Sequence, residues 1–599
     1  ANGVMSAPRG TLKISLDTGT YVVRNISTVA LPNNGSDAAV TGFAHNDGTV
    51  ELGLGSYGHN QQIGNDASHS ITFYNLDILD SWYDTRGTVY VENVLDLSSY
   101  RLRLGVGSDA ATYIIGKASA TSQSSESKAG GLNTGGYITG AGGFSMGSSA
   151  VSSTIKGAST IYPAILNLDG SGGNNFAFGV ATGQTAYQPT NSSYPLQLSN
   201  LELSDAWTTV DVGVPLYYKL TGDMKFAAVT LADEINLDLN GQRAEFSGTL
   251  NIDGTLDADG LIVSSSNIDE DGGFSNAASC DMILTGATTH DLRGATHRNI
   301  LINTSGTASV NAAKDLGTTP LKIGAGTFDA GENITCGDLT VATSATYTAN
   351  DDTLTVAGDF TTSGGLLGAS CLTLNGSDEF AAQTSATTWG INNAYTIEMW
   401  LKTSTDSDMV LFDMDNGSDN ANRILLACNS STNEIKLSAF ASDGTETGLF
   451  TGNVFGQDFH DGKWHHLAVT NSGSEIKIYS DGKLNKQLTA TVSRSSDPSM
   501  RLFIGKKKND SEFFNGEIEE VRIFTDVRTE AEIRADMFQG GTLANSGNLS
   551  ARYSFDEGSG TAVDNSETTA ARDLVASGTG VWAGAGTFTY GTSTLVMSG

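Results

Sequence analysis

"DGKWHHLAVT", residues 461–470, sets two histidines side by side behind a tryptophan in a chain with only eight histidines. Histidine carries much of the metal and acid/base chemistry of proteins, so the pair is an obvious candidate site. Its spacing argues otherwise. The stretch runs straight into apolar residues without a helix signal and reads as a β-strand. Neighbouring strand residues point to opposite faces. Trp464, His466 and Ala468 then share one face, and His465, Leu467 and Val469 the other. Two adjacent histidines so placed cannot easily grip one ion, and Trp464, His465 and His466 are expected to be structural.

The surroundings favour β structure throughout. The chain has 599 residues, more than one core supports, so several domains are expected. It holds 71 Gly and 8 Pro, only 17% of it is charged, and no long amphipathic helical pattern stands out. Such a composition suits short strands joined by many turns. A formal net charge of −33 repels nucleic acid and anionic membranes and suits a soluble particle or secreted protein. Cys280, Cys336, Cys371 and Cys428 are far apart, without zinc spacing, and read as free or buried thiols. No stretch reaches ~18 apolar residues, so no membrane span is expected. Residue 1 is Ala and no secretory pattern follows it, which fits synthesis in a cytoplasm.

Along the chain the texture changes several times. Residues 1–115 alternate in short runs such as "TLKISLD" and "GTVYVENVLDL", and read as a β-sandwich or similar module serving attachment or assembly. Residues 116–150 are Gly/Ser-rich and read as a linker, or as an arm ordering against a neighbouring subunit. A second β-module is expected over 151–222. From 223 to 365, three- to five-residue strands recur between Gly and Asn-Asp turns, a pattern that suits stacked rungs of a β-solenoid. "GAGTF" at 324–328 reappears at 584–588, so the segment 583–599 is expected to return to the same kind of rung.

Between about 366 and 582 the motifs fall into a recognisable order. "LTLNGSDEF", "YTIEMWLKT" with Trp400, "FHDGKWHHLAVT", "IKIYSDGKL", "LFIGKK", "FFNGEIEEVRIF", "RTEAEIRADM" and "ARYSFDEGSGTAVDNS" follow one another. Together they resemble the laminin G-like, concanavalin A-like lectin/glucanase domain. That resemblance implies two antiparallel sheets packed face to face, with rim loops free for ligands. The residues agree: "SDGK" at 480–483 has the Asp-Gly pair of a tight hairpin, and "TEAE" at 529–532 is a capping box opening a helix. The fold class is therefore all-β: serial β-modules, a solenoid-like middle and a C-terminal sandwich.

The resemblance also implies a Ca²⁺ site, without fixing its ligands. The acidic residues available are Asp378 and Glu379, Glu517, Glu519 and Glu520, and Asp556 and Glu557. Separately, "NIDEDGG" at 267–273 spaces Asn267, Asp269, Asp271 and Gly272 like the start of a calcium loop, but Ala278 stands where the closing Glu belongs. Lys506, Lys507 and Lys508 form a rare basic run and are expected on a rim loop that contacts acidic sugars or a neighbour's carboxylates. No carboxylate pattern of a glycosidase groove, no GxSxG and no HExxH appears, so the chain reads as non-catalytic.

As a whole the chain resembles a tailed-phage fibre, spike or capsid projection, made in the host cytoplasm and residing in the virion. Adhesion to host-surface glycans would be its function, with other virion proteins as partners and a homotrimer expected by analogy. Alternatives are a bacterial surface or secreted polysaccharide-binding adhesin, a depolymerase with a lectin-like accessory module, and a decoration protein that binds no sugar.

Overall fold

The computed structural model describes residues 11–16, 49–54, 61–63, 70–79, 83–98, 101–104, 110–116, 137–139, 143–146, 152–161, 164–166, 192–203 and 206–208. From 214 onward it describes all but 271–272, 293–295, 418–419, 431–433, 451–457, 496–497, 567–569, 579, 591 and 599. The chain divides into two units, one of residues 1–262 with 268–279, the other of 263–267 with 280–599. Both are built almost entirely of strands. None of the described helices is long and apolar enough to cross a membrane.

The first unit is a parallel β-solenoid. One ladder runs through Thr11–Leu16, Thr49–Leu54, Ser70–Ile78, Gly87–Asp96, Ala111–Ile115 and Thr154–Gly157. It continues through Leu196–Ser199, Leu216–Leu220, Ile235–Asp238, Thr255–Asp257 and Gly273–Ser275. A second runs from Tyr137–Thr139 through Ala164–Leu166, Leu201–Leu203 and Met224–Phe226 to Arg243–Phe246. A third joins Trp207–Thr208, Val229–Leu231, Leu250–Ile252 and Ile268–Glu270. Leu216 pairs with Ile235, Val229 with Leu250 and Leu250 with Ile268, so these rungs take 18 to 21 residues, whereas the earlier pairings of Thr11 with Thr49 and Thr112 with Thr154 span longer turns. Alternate side chains point inward and stack: Trp207, Phe226 and Phe246 follow one another at 6.1 and 5.1 Å between ring centroids.

This corrects two readings. The described strands of 1–115 and 151–222 form no separate sandwich modules; they are rungs of one solenoid. Period-two alternation is the same in a sandwich strand and a solenoid strand, and only the long-range partner differs. Within 116–150, Tyr137–Thr139 and Gly143–Met146 are ladder strands rather than linker, the latter pairing with Arg101–Leu104. Residues 117–136 lie outside the described residues.

The second unit begins with further rungs. Asp281–Leu284, Asn299–Val310, Leu321–Asp329, Leu339–Ala342 and Phe360–Gly364 form one parallel ladder. The far halves of the two long strands continue through Thr346–Thr348 to Thr587–Thr589. Lys314–Asp315, Ile334–Cys336, Thr353–Val356 and Thr594–Met597 form a third. The "GAGTF" repeat is thus a rung repeat. Tyr347 stacks on Phe588 at 5.5 Å and meets Phe328, tilted, at 5.6 Å. The chain leaves the solenoid after Phe360–Gly364, builds the sandwich, and returns to lay the last described rung, so the sandwich is an insertion.

The sandwich itself is antiparallel. One sheet is ordered Leu372–Asn375, Asn515–Phe524, Tyr395–Lys402, Trp464–Asn471, Glu475–Ser480, Lys483–Thr489, with Leu549–Tyr553 beside Asn515–Phe524. The other is ordered Glu446–Phe450, Glu434–Phe440, Ile424–Asn429, Met409–Asp415, Arg501–Ile504, Phe380–Ala382, Leu574–Ser577, Ala562–Val563. Ile397, Met399, Leu401, Leu467 and Val469 from the first meet Leu426, Leu437 and Ile504 from the second in one buried core. Asp481 and Gly482 both take positive φ, 47° and 72°, in the tight turn between Ser480 and Lys483. Thr529 caps the helix Glu530–Asp536 with the capping box that "TEAE" announces.

Candidate functional site

The strand Trp464–Asn471 divides its side chains as its alternation requires. Leu467 and Val469 enter the core between the sheets. His465, on the same face but at the strand's end, reaches Asp481 at 2.9 Å through Nδ1 and Asp461 at 3.1 Å through Nε2. Burial alone would depress this imidazole, but the two carboxylates outweigh it and push it up to about 10. His466 lies on the opposite face, edge-on to the Trp400 ring at 5.4 Å. Burial, with Arg522 and Arg528 nearby, pushes it down to about 3. One histidine is therefore a cation and its neighbour neutral, and each is held by protein groups.

The sign of the His465 shift fixes a pH dependence. Its pKa is raised in the fold, so its stabilisation is full below the ordinary value near 6.5 and is lost as pH rises through about 10. His465→Gln is expected to cost about 2 kcal/mol at pH 7, because two partly buried carboxylates lose their cation. That difference from wild type shrinks as pH passes the folded pKa. Chemical denaturation of both proteins from pH 6 to 11 checks it; a constant difference would contradict the assignment.

The outer face of the seven-stranded sheet is covered over its central strands, while Glu475, Lys477, Gln487 and Thr489 at its far edge stay partly or fully exposed. Part lies beneath the helical segment, where Trp400 Nε1 donates to Met537 O at 2.8 Å and Arg522 Nη1 to Asp536 O at 2.7 Å. Glu398, Glu520, Arg522 and Arg528 lie buried there. Burial lifts Glu398 to about 7, offset by Arg528 and Arg522 at 3.6 and 3.7 Å. Another part meets the solenoid rungs of the same unit. Asn303 acts as a one-residue strand partner: Nδ2 donates to Trp464 O at 2.7 Å and Oδ1 accepts from Trp464 N at 3.0 Å. A Cβ at Gly324 would come within 3.1 Å of Leu301, Leu366 and Trp464 side chains, whereas Gly584, its counterpart in the repeat, meets nothing within 4 Å. Only the first copy of "GAGTF" faces the sandwich.

Two predicted metal ligands belong to this seam. Lys402 Nζ pairs with Glu517 at 3.1 Å and donates to Thr343 O at 3.1 Å. Glu519, fully buried, accepts from the backbone amides of Leu366, Leu367 and Gly368 at 2.6, 2.8 and 2.9 Å. Burial pushes it up to about 8, offset by those amides. A bulge opposite Glu398 and Trp400, with Glu520 at φ 53°, turns Glu519 toward the entry of the domain. Glu520 instead pairs with Arg522 at 3.0 Å and Arg552 at 2.7 Å.

The outer face of the eight-stranded sheet carries the remaining candidate groups. Ala382 and Asp413 both pair with Phe503, and Ala382 with Val575, so these positions share that face. Phe380 lies 6.3 Å from Phe513; Lys506 Nζ sits 3.6 Å from the Phe380 centroid and 5.4 Å from that of Phe503; Arg501 lies 4.7 Å from Phe503. Val575 is 42% exposed beside them. Next to this aromatic strip is a polar one. Arg423 grips Asp413 with two bonds of 2.8 and 2.7 Å, and Glu446 accepts from Lys436 at 2.7 Å and Ser438 at 2.6 Å.

The lysine run was expected on a solvated rim loop. Instead each lysine is neutralised: Lys506 by Asp510, Lys507 by Glu512, and Lys508 by Asp415 at 2.8 Å. Asp413 and Asp415 stand 95 and 93 residues before Lys508, too far for the sequence to announce. The alternation of "FDMD" at 412–415 is the signal that could have found them.

Residues 375–534, which contain both sheets' central strands, match the family model of the concanavalin A-like lectin/glucanases superfamily, in its laminin G form. This segment is a concanavalin A-like lectin/glucanase domain. Similar solved structures include a protein from Bacteroides ovatus ATCC 8483 described as a candidate carbohydrate-binding protein, at 15% identity and TM-score 0.27, covering 35% of this chain and 59% of that one. A heptameric SAP-like pentraxin from Limulus polyphemus is 11% identical with TM-score 0.26, covering 35% and 94%. Domains LG4-5 of the mouse laminin alpha1 chain are 18% identical with TM-score 0.21, covering 26% and 40%. The chain thus spans about three fifths of the Bacteroides protein's length. A search of curated protein sequences finds no match.

In the lectin-like domain the other expected calcium ligands stay apart. Asp378 is exposed and accepts from Asn375 Nδ2 at 2.9 Å. Glu379 is buried against Gly578 and Gly580, and burial, with Asp378 alongside, raises its pKa. Asp556 accepts from Ser370 N at 3.3 Å, and Glu557 from Asp564 N at 3.0 Å. A Ca²⁺ site needs six or more converging oxygens. Asp378, Glu379, Glu517, Glu519 and Asp556 do not converge on one: Glu519 and Asp556 are taken up by backbone amides of residues 366–370, Glu517 pairs with Lys402, and Asp378 and Glu379 lie elsewhere on the domain. In the first unit, Asp269 pairs in register with Asn251 on the solenoid, and Asp271 lies outside the described residues. Among the described residues, one group of three acidic side chains brings its oxygens within 4.8 Å: Asp238, Asp257 and Asp259, on the first unit's solenoid. None of them stood out in the sequence, because they come together only across successive rungs.

Proposed function

We propose that the chain is a non-enzymatic, glycan-binding adhesin in which a solenoid shaft displays the lectin-like domain. The observation that carries this reading is the asymmetry of the sandwich. One outer face is covered over its central strands by the helical segment and the rungs of its own unit, which favours the eight-stranded sheet as the face that meets a ligand. Phe380 and Phe513 are partly exposed there beside Val575 and Arg501, and offer apolar edges to a sugar ring, while Phe503 and Lys506 lie buried beneath them. The carboxylates of the domain are engaged in ion pairs and amide contacts, which favours binding over hydrolysis. Each contact would be weak, and many copies would supply avidity. The finer reading is a fibre, spike or capsid projection of a tailed phage, present as a homotrimer in the virion. A parallel solenoid with an inserted lectin-like domain and a net charge of −33 suits such a particle-borne protein.

A glycan array probed with the full chain, with Ca²⁺ and with chelator, tests the binding. Binding to a subset of glycans is expected, weakened roughly tenfold by Phe380→Ala or Arg501→Ala. Chelator is expected to leave it unchanged. An array without hits would support a decoration role, and new reducing ends in a bound polysaccharide would make the chain a depolymerase. Light scattering on the purified chain tests the trimer.

A further inference from the structure

The first unit carries a groove that the lectin-like reading does not use. On the ladder from Leu196–Ser199 to Gly273–Ser275, Leu216, Tyr218, Leu220, Ile235 and Leu237 point inward and are buried. Every second residue therefore points out. The pairing sets Tyr217, Asn236 and Thr255 in one outward column. It sets Gln197, Lys219, Asp238, Asp257 and Ser275 in a second. Successive rungs lie about 4.8 Å apart, so both columns repeat a polar group at that step along the solenoid.

An ordinary solvated solenoid face is open. Here both columns line a cavity of about 470 Å³, bounded also by Ser192, Ser193 and Pro195. That volume suits a small organic ligand. Tyr217, Asn236, Thr255 and Asp257 are each partly buried, like outward residues on the other ladders. The charge of the lining is chemically selective. Lys219 and Asp238 neutralise each other at 2.8 Å, and Asp257 accepts from Asn276 at 2.7 Å. Asp257 and the nearby Asp259 leave a negative surplus, which repels anions. What remains is a row of hydroxyl, amide and carboxylate groups beside one aromatic ring, which matches a hydroxyl-rich chain without negative charge.

We propose that this groove binds an uncharged oligosaccharide laid along the solenoid, with Tyr217 stacking on a sugar ring and Asn236, Thr255 and Asp257 hydrogen-bonding to hydroxyls. It is a second site, in a different unit from the lectin-like domain, and stands whether or not that domain binds glycan. The test is calorimetry on the full chain with four uncharged probes at millimolar concentration: malto-, cello-, laminari- and N-acetylchito-hexaose. At least one is expected to bind. Tyr217→Ala and Asp257→Asn are each expected to weaken it about tenfold, while Tyr217→Phe keeps it within about twofold. Made in a Phe380→Ala background, where binding by the sandwich is suppressed, the loss from Tyr217→Ala is expected to persist, and unaltered melting of the Tyr217 variants shows the solenoid intact. Absence of binding by all four probes, or binding lost in Phe380→Ala and kept in Tyr217→Ala, overturns the proposal.

Discussion

Glu519→Ala is expected to destabilise the sandwich-bearing unit by about 3 kcal/mol. Glu519 accepts from three consecutive amides where the chain passes from the rung Phe360–Gly364 into the first sandwich strand. Removing it orphans the buried amide of Leu366 and two that water reaches in part. An orphaned buried amide costs about 1–3 kcal/mol. The loss is moderated because a buried carboxyl, itself pushed up to about 8, disappears as well. Glu519→Gln keeps one oxygen to accept and is expected to lose about half as much. Guanidinium denaturation followed by tryptophan fluorescence checks both. If Glu519 were a metal ligand instead, wild-type stability would fall on adding chelator, and here it is expected not to.

Trp464→Ala is expected to cost about 3–5 kcal/mol, the range for emptying a buried large aromatic site. Trp464 is fully buried, touching the space at Gly324 and Leu366, with Lys402 Nζ 5.9 Å from its ring. Its neighbours are two rigid β layers, so the cavity cannot collapse cheaply. The backbone bonds to Asn303 survive the substitution, which leaves the loss to packing. Denaturation midpoints should fall while glycan binding by the folded protein stays unchanged, since Trp464 lies on the covered face. A loss below about 1 kcal/mol would mean the seam is loose.

How much of this was legible depended on range. The face of each residue in "WHHLAVT", the "SDGK" hairpin and the "TEAE" helix start are local, and period, turn chemistry and capping specify them. That the two histidines point to opposite faces followed from alternation alone. Their opposite protonation did not, because it is set by Asp481 across a hairpin and by Arg522 and Arg528 from other elements. The N-terminal strands were legible as strands but not as rungs, since Leu76 or Val89 alternates identically against a parallel or an antiparallel neighbour. The lysine run misled only in part for the same reason: Asp415, the counter-charge of Lys508, arrives from a distant strand, whereas Asp510 and Glu512 stand within five residues of Lys506 and Lys507. Glu519 reads as one acid in "GEIEEV", and only the bulge beside it shows that it caps a chain crossing. The polar groove consists of residues one rung apart, so no window of sequence holds it.

A glycan bound to the lectin-like domain is expected on the outer face of the eight-stranded sheet. Hydrogen exchange of the full chain, with and without the tightest-binding array glycan, measures this directly. Protection is expected at 378–383, 501–514 and 574–577, on the outer face of the eight-stranded sheet. Protection confined to 398–402, 464–468 and 517–522, on the covered face, would contradict it.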